Sequence, residues 1–189
     1  MYKTINIKNV QIYLDKIADE SIAQNYLTFF ITLREFIWYN NDFIEDEKNM
    51  EELQNQNNKI IEYFSETPLL NYLIIVNELG KNNKLHNHII VSYRSILGYN
   101  DQFKNNLKYN LNEKLKYTDI VLDQIILKNE YTNRLKYILK EIDVFEYKVN
   151  KVIIYNKNLN DNFYFKIFNY FNFNVTFIKN YKYDNLDDI

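Results

Sequence analysis

The only two histidines of the chain stand two residues apart, as His86 and His88 in the run Leu85-His86-Asn87-His88-Ile89-Ile90-Val91. In an extended strand that separation puts both rings on one face, and imidazole is the side chain most often found on a metal ion. A carboxylate can join them. The run from Leu70 to Leu79 reads as a strand, Gly80-Lys81-Asn82-Asn83 as a turn, and Lys84 to Ser92 as the returning strand. In a hairpin whose odd-length loop is centred near Asn82, Glu78 stands directly opposite His86. A slip of one residue would send the carboxylate to the other face. Two imidazoles and one carboxylate form a mixed donor set for Mg²⁺, Mn²⁺ or Zn²⁺. Such a set leaves positions open to water or substrate, as a catalytic site requires.

A possible nucleophile lies downstream. The segment Glu130 to Ile142 carries Leu135, Ile138, Leu139 and Ile142 at helical spacing, which marks a helix packed on a sheet. Tyr131, four residues before Leu135, is in phase with that stripe and reads as a core residue. Tyr137 is out of phase, at the border of the stripe, with Arg134 three residues before it and Lys140 three after. Cations beside a phenol favour its ionised form, which makes Tyr137 a candidate oxygen nucleophile. Taken alone it reads better as an ordinary boundary tyrosine.

Composition narrows the chemistry. With no cysteine among 189 residues, disulfides and thiolate metal sites are excluded. Two glycines and one proline cannot build a Walker-type phosphate loop or a dinucleotide fingerprint, so ATP-driven work is not encoded. The amino terminus lacks the apolar stretch of a secretory signal and no segment is apolar enough to span a bilayer, so a soluble intracellular protein with no membrane partner is expected. The net charge of −2 argues against a general nucleic-acid coat. Residues 79–116 are nevertheless locally basic, with Lys81, Lys84, Arg94, Lys104, Lys108, Lys114 and Lys116 against Asp101 and Glu113. Such a surface is enough to attract phosphate, although a solvated helix face is the commoner reason for such a count. The many Tyr and Phe residues could stack on bases, but an A/T-rich gene also favours them.

The elements that must position these groups can be read coarsely. Residues 1–25 are ambiguous, since Val10, Leu14 and Ile17 have helical spacing while Ile5 and Ile7 alternate. Tyr26 to Leu33 reads as a buried strand. A helix follows from about Asp46 to Phe64, then the hairpin, a short polar helix from Asn100 to Leu111, a strand from Thr118 to Leu127 and the tyrosine helix. Beyond these, a strand over Val149 to Tyr155, an aromatic helix over Asn162 to Phe171 and a last strand over Val175 to Ile178 are expected. The pattern predicts one α+β domain over residues 1–182 with a mainly antiparallel sheet, and an acidic tail over 183–189.

In this order the motifs resemble the HUH endonucleases, in particular the rolling-circle replication initiators (Rep) of small circular DNA viruses and plasmids. Phe30-Ile31-Thr32-Leu33 looks like their first motif with one extra residue. His86 and His88, with Glu78 on the adjacent strand, look like the second, and Tyr137-Ile138-Leu139-Lys140 like the third. The resemblance covers residues 26–142 and leaves 148–178 as an extension. Asn87 departs from it, standing where the family has an apolar residue, and the long spacing to the tyrosine implies an insertion near residues 98–116. The resemblance implies an RRM/ferredoxin-like sheet and a Mg²⁺ or Mn²⁺ ion on Glu78, His86 and His88. It implies attack by Tyr137 with help from Lys140, and DNA contacts from Lys81, Lys84, Arg94 and Arg134. The implied partner is single-stranded DNA at a replication origin, with helicase and polymerase supplied by the host. A non-catalytic RRM-like nucleic-acid module, a water-activating metal hydrolase and a single-tyrosine transposase relative are the alternatives.

Overall fold

The computed structural model describes residues 7–36, 47–67, 69–79, 85–94, 101–139, 152–156 and 175–178. The expected turn at 80–83 and aromatic helix at 162–171 lie outside the described residues, as do Lys81, Lys84 and Lys140.

The ambiguous amino-terminal segment is helical, α1 (Ile7–Ala23). It ends in a hydrogen-bonded cap in which Tyr26 N–H donates to the Ser21 carbonyl and Asn25 N–H to that of Ile22. Asn25 takes the left-handed conformation that closes the cap, with φ of 53°. Next come β1 (Leu27–Phe36), α2 (Glu47–Ser65), β2 (Leu70–Leu79), β3 (Leu85–Tyr93), α3 (Asp101–Leu115), β4 (Tyr117–Ile125) and α4 (Lys128–Leu139). The strands β5 (Val152–Asn156) and β6 (Val175–Ile178) complete a six-stranded sheet of order β4-β1-β3-β2-β5-β6. The fold is α+β, and four of its five strand pairings are antiparallel; β5 and β6 run parallel.

From β1 to β4 the connectivity is two interleaved split βαβ units, the ferredoxin-like arrangement. Helix α2 carries the chain from β1 to β2 past β3, and α3 carries it from β3 to β4 past β1. Segment 101–115 is therefore no insertion. Leu107, Leu111 and Leu115 recur at helical spacing and are buried in the same core as Ile31, Leu33, Ile89 and Val91 of the sheet, together with Ile60, Ile61 and Phe64 of α2. Each fully buried side chain of this kind contributes about 1.5–3 kcal/mol.

The odd-numbered residues of β1 and β3 thus face α2 and α3, and alternation turns Phe30, Thr32, His88 and Ile90 to the opposite face. That second face is covered by α1 and α4. Buried hydroxyls knit them to the sheet: Tyr72 donates to Tyr131 at 2.7 Å, Thr28 to Ser92 at 3.2 Å and Ser92 to Ser21 at 3.3 Å. No helix among the described residues is long and apolar enough to cross a membrane.

Candidate active site under helix α4

Three rows of paired residues cross the second face. In the middle row Val121, Thr32, His88 and Val76 stand side by side on β4, β1, β3 and β2. Toward α4 the row is Asp123, Phe30, Ile90 and Ile74. Toward the open end Arg34 pairs with Asp119 and Glu78 with His86. The expected register of Glu78 opposite His86 is therefore the one the hairpin adopts.

The side chains depart from that simple opposition. Glu78 Oε2 lies 2.8 Å from His88 Nε2, a diagonal contact, and the other ring nitrogen of His88 lies 3.1 Å from Thr32 Oγ1. Both nitrogens of a ring only 1 % exposed are thereby engaged, and the threonine hydroxyl can give or accept a proton as the tautomer requires. The ring of His86 stands 6.2 Å from that of His88, and its Nδ1 is buried with no hydrogen-bond partner. Among the described residues, no three carboxylate or imidazole groups gather closely enough to hold an ion. The structure brings Glu78 and His88 together and leaves His86 as a neighbour.

Helix α4 carries the tyrosine to this point. Its first turn is capped by Glu130, whose carboxylate accepts backbone N–H groups of Leu127 and Ile126 at 3.0 and 3.1 Å. Those bonds, that from Leu127 first, hold the Glu130 carboxyl below its usual range. Lys128 bonds Asp19 of α1 at 2.6 Å, and that hydrogen bond raises its pKa. Tyr131, Leu135 and Ile138 form the buried stripe. Tyr131 is 0 % exposed, with its hydroxyl held by Tyr72, so no substrate reaches it. Tyr137 is 44 % exposed, with its ring edge-on to His88 at 5.3 Å between centres and to Phe30 at 6.5 Å.

The basic residues fall elsewhere than the linear sequence implies. Arg134 lies over the Phe30 ring at 4.6 Å and donates to Asp123 at 2.9 Å, so it fastens α4 to β1 and β4. Arg94 is six residues beyond His88, roughly 20 Å along the strand, and donates to Asn71 at 3.1 Å. Lys104, Lys108 and Lys114 belong to α3, behind the sheet; Lys114 sits 3.8 Å from Glu66 and over the Tyr63 ring. Sequence periodicity places residues on faces of elements but says nothing about which elements share a layer. That is why the described part of one basic stretch in the chain divides between the far end of β3 and the helix behind the sheet.

Asn87, between the two histidines, turns to the α2 and α3 face. It donates to Asn77 Oδ1 at 2.6 Å and accepts from the Tyr117 hydroxyl at 2.7 Å, so a buried polar group is satisfied without disturbing the histidines. Sequence reasoning missed the roles of Thr32, Arg34, Asp123 and Tyr72, which exist only across strand pairings. It also missed the cap made by Glu130, although a Glu three residues into a helix is a readable signal. Against family models, curated proteins and solved structures alike, the chain shows no match.

Proposed function

We propose that the chain is a Rep-like endonuclease of the HUH type, which nicks and rejoins single-stranded DNA through a covalent 5′-phosphotyrosine on Tyr137. The observation that carries this reading is the contact of an exposed tyrosine with a buried, carboxylate-bound histidine, Tyr137 to His88 at 5.3 Å and His88 to Glu78 at 2.8 Å. The ferredoxin-like order of β1 to β4 supports it as well.

A divalent ion would be held by Glu78 and His88 once the His86 ring turns in to join them, since the three do not gather round one point as they stand. Adjacent ligands of an octahedral Mg²⁺ stand about 3 Å apart, and the Glu78 and His88 donor atoms already stand 2.8 Å apart. His86, on the same face with an unpartnered ring nitrogen, is the third donor. Bound there, Mg²⁺ or Mn²⁺ supplies positive charge against the scissile phosphate. Thr32 holds the His88 ring in orientation. Because both its nitrogens are engaged, His88 orients and does not take the phenolic proton.

The Tyr137 oxygen attacks phosphorus, a phosphorus–oxygen bond to the tyrosine forms and the bond to the 3′ oxygen breaks. The proton lost by the phenol is balanced by the one gained on the departing 3′-hydroxyl. One ester replaces another, so no nucleotide is consumed, in keeping with the lack of a phosphate loop. Reversal rejoins the strand. Lys140, three residues after Tyr137 in the sequence, is the cation this reading assigns to the phosphate or the phenolate. Origin DNA as substrate, initiation of rolling-circle replication, and a helicase and polymerase supplied in trans come from the resemblance alone.

The RRM-like alternative requires an open aromatic platform for bases, whereas Phe30, His88 and Ile90 are buried beneath the helices. The test is a pool of randomised single-stranded oligonucleotides with Mn²⁺. The expected result is an adduct that survives denaturing electrophoresis, is abolished by Tyr137→Phe and persists in Tyr131→Phe. An adduct retained by Tyr137→Phe would overturn the reading.

A further inference from the structure

The open row of the site holds an arginine that neither the motifs nor the basic stretch pointed to. Arg34 follows Thr32 by two residues on β1, about 7 Å along the same face, so it lies beside the group that grips His88. The last β1–β3 pair is Leu33 with Asn87, and one residue further Arg34 and His86 come next in line. Arg34 is thus one register position past the end of the β1–β3 ladder, on the face that carries His86, which Glu78 faces from β2.

Its present partner holds it loosely. Arg34 reaches Asp119 at 3.5 Å, with the two side chains 46 and 41 % exposed. A pair so long and so exposed to solvent is weak and exchanges readily for another anion. Arg134 differs: a bond of 2.9 Å and the Phe30 ring at 4.6 Å commit it to fastening α4. Of the two arginines on this face, Arg34 is the one whose guanidinium can be given to a ligand at small cost. A guanidinium matches a phosphate with two parallel hydrogen bonds.

We infer that Arg34 is a phosphate-binding residue of the site, which leaves Asp119 to take a backbone phosphate of a single-stranded DNA lying across the open row beside His86. This deepens the proposed function by naming where the substrate backbone is held, and rests on that reading for the identity of the polymer. Asp119 is then the resting counter-ion, which keeps the arginine extended while the site is empty and competes with the phosphate.

The two partners of the pair give opposite predictions. Binding of a short mixed-sequence single-stranded DNA is followed by fluorescence anisotropy over a range of salt concentrations. Arg34→Ala lowers the affinity about tenfold and reduces the salt slope by about 0.7, the share of one phosphate contact on a single strand. Arg34→Lys restores the slope. Asp119→Asn raises the affinity several-fold, because it removes both the competitor and a like charge. A merely structural pair would show losses of the same sign in Arg34→Ala and Asp119→Asn, and that result, or an unchanged slope in Arg34→Ala, overturns the assignment. The adduct assay on Tyr137 is read separately. Adduct formation with an unchanged Arg34→Ala slope sinks the arginine and leaves the nuclease standing. A reduced slope without any adduct does the reverse.

Discussion

Glu78 faces His86 across the β2–β3 hairpin, yet its carboxylate reaches diagonally to His88, Oε2 to Nε2 at 2.8 Å. The diagonal leaves His86 Nδ1 unpartnered. It also makes Glu78 the carboxylate partner of a ring that is almost fully buried between two strands. The pair therefore has a structural consequence apart from any catalysis.

Removing that carboxylate strands a buried polar nitrogen. Glu78→Ala is expected to cost about 1–3 kcal/mol, lowering the midpoint of thermal unfolding by roughly 2–4 °C for each kcal/mol in a chain of this size. Glu78→Gln keeps an oxygen that can accept from the ring and loses less. Thermal denaturation of the two variants side by side decides the point: equal losses would mean that the hydrogen bond contributes nothing.

Alkaline pH is expected to loosen the face that carries α4. Burial pushes the Tyr72 hydroxyl up to about 12 against an ordinary value of 10.0, an effect only partly offset by its hydrogen bond to Tyr131. A folded-state value above the unfolded one means that the contribution is complete below pH 10 and is lost as pH rises toward 12. Two pKa units correspond to roughly 3 kcal/mol. Tyr93, also pushed up by burial, adds to the loss in the same direction. Urea unfolding at stepped pH, with tyrosinate absorbance followed in parallel, should show stability falling between pH 10 and 12, and falling less in Tyr72→Phe.

The join between α3 and β4 holds a correctable strain. Lys116 closes the helix with φ of 60°, its N–H donating to the Asn112 carbonyl at 2.9 Å. A side chain in this left-handed region costs roughly 1 kcal/mol that glycine avoids. Lys116→Gly should raise the stability by about 0.5–1 kcal/mol, measured by chemical denaturation. A loss would show that the lysine side chain contributes more than the backbone strain takes away.

Much of the site was legible before any coordinates. Period-two alternation put His86 and His88 on one face, the odd spacing between the two strands set Glu78 opposite His86 in register, and the helical phase separated Tyr131 from Tyr137. Each of these follows from local rules of strand and helix geometry. Asn87 was legible only as a departure. Its partners Asn77 and Tyr117 come from another strand and from the far side of α3, beyond the reach of periodicity.

The residue types available for chemistry, and the face of its own element on which each one stands, follow from the order of amino acids alone, because side-chain direction is set by backbone period. The tertiary structure decided what those faces meet. The split βαβ crossings put α3 and its lysines behind the sheet, while α4 lies across the front, so that Tyr137 comes to His88 and Arg134 to Asp123. Strand order made neighbours of Thr32 and His88 and paired Arg34 with Asp119 across β1 and β4. These are contacts between segments far apart in the chain, and their existence depends on how helices and strands bury their apolar faces together, which no single segment encodes.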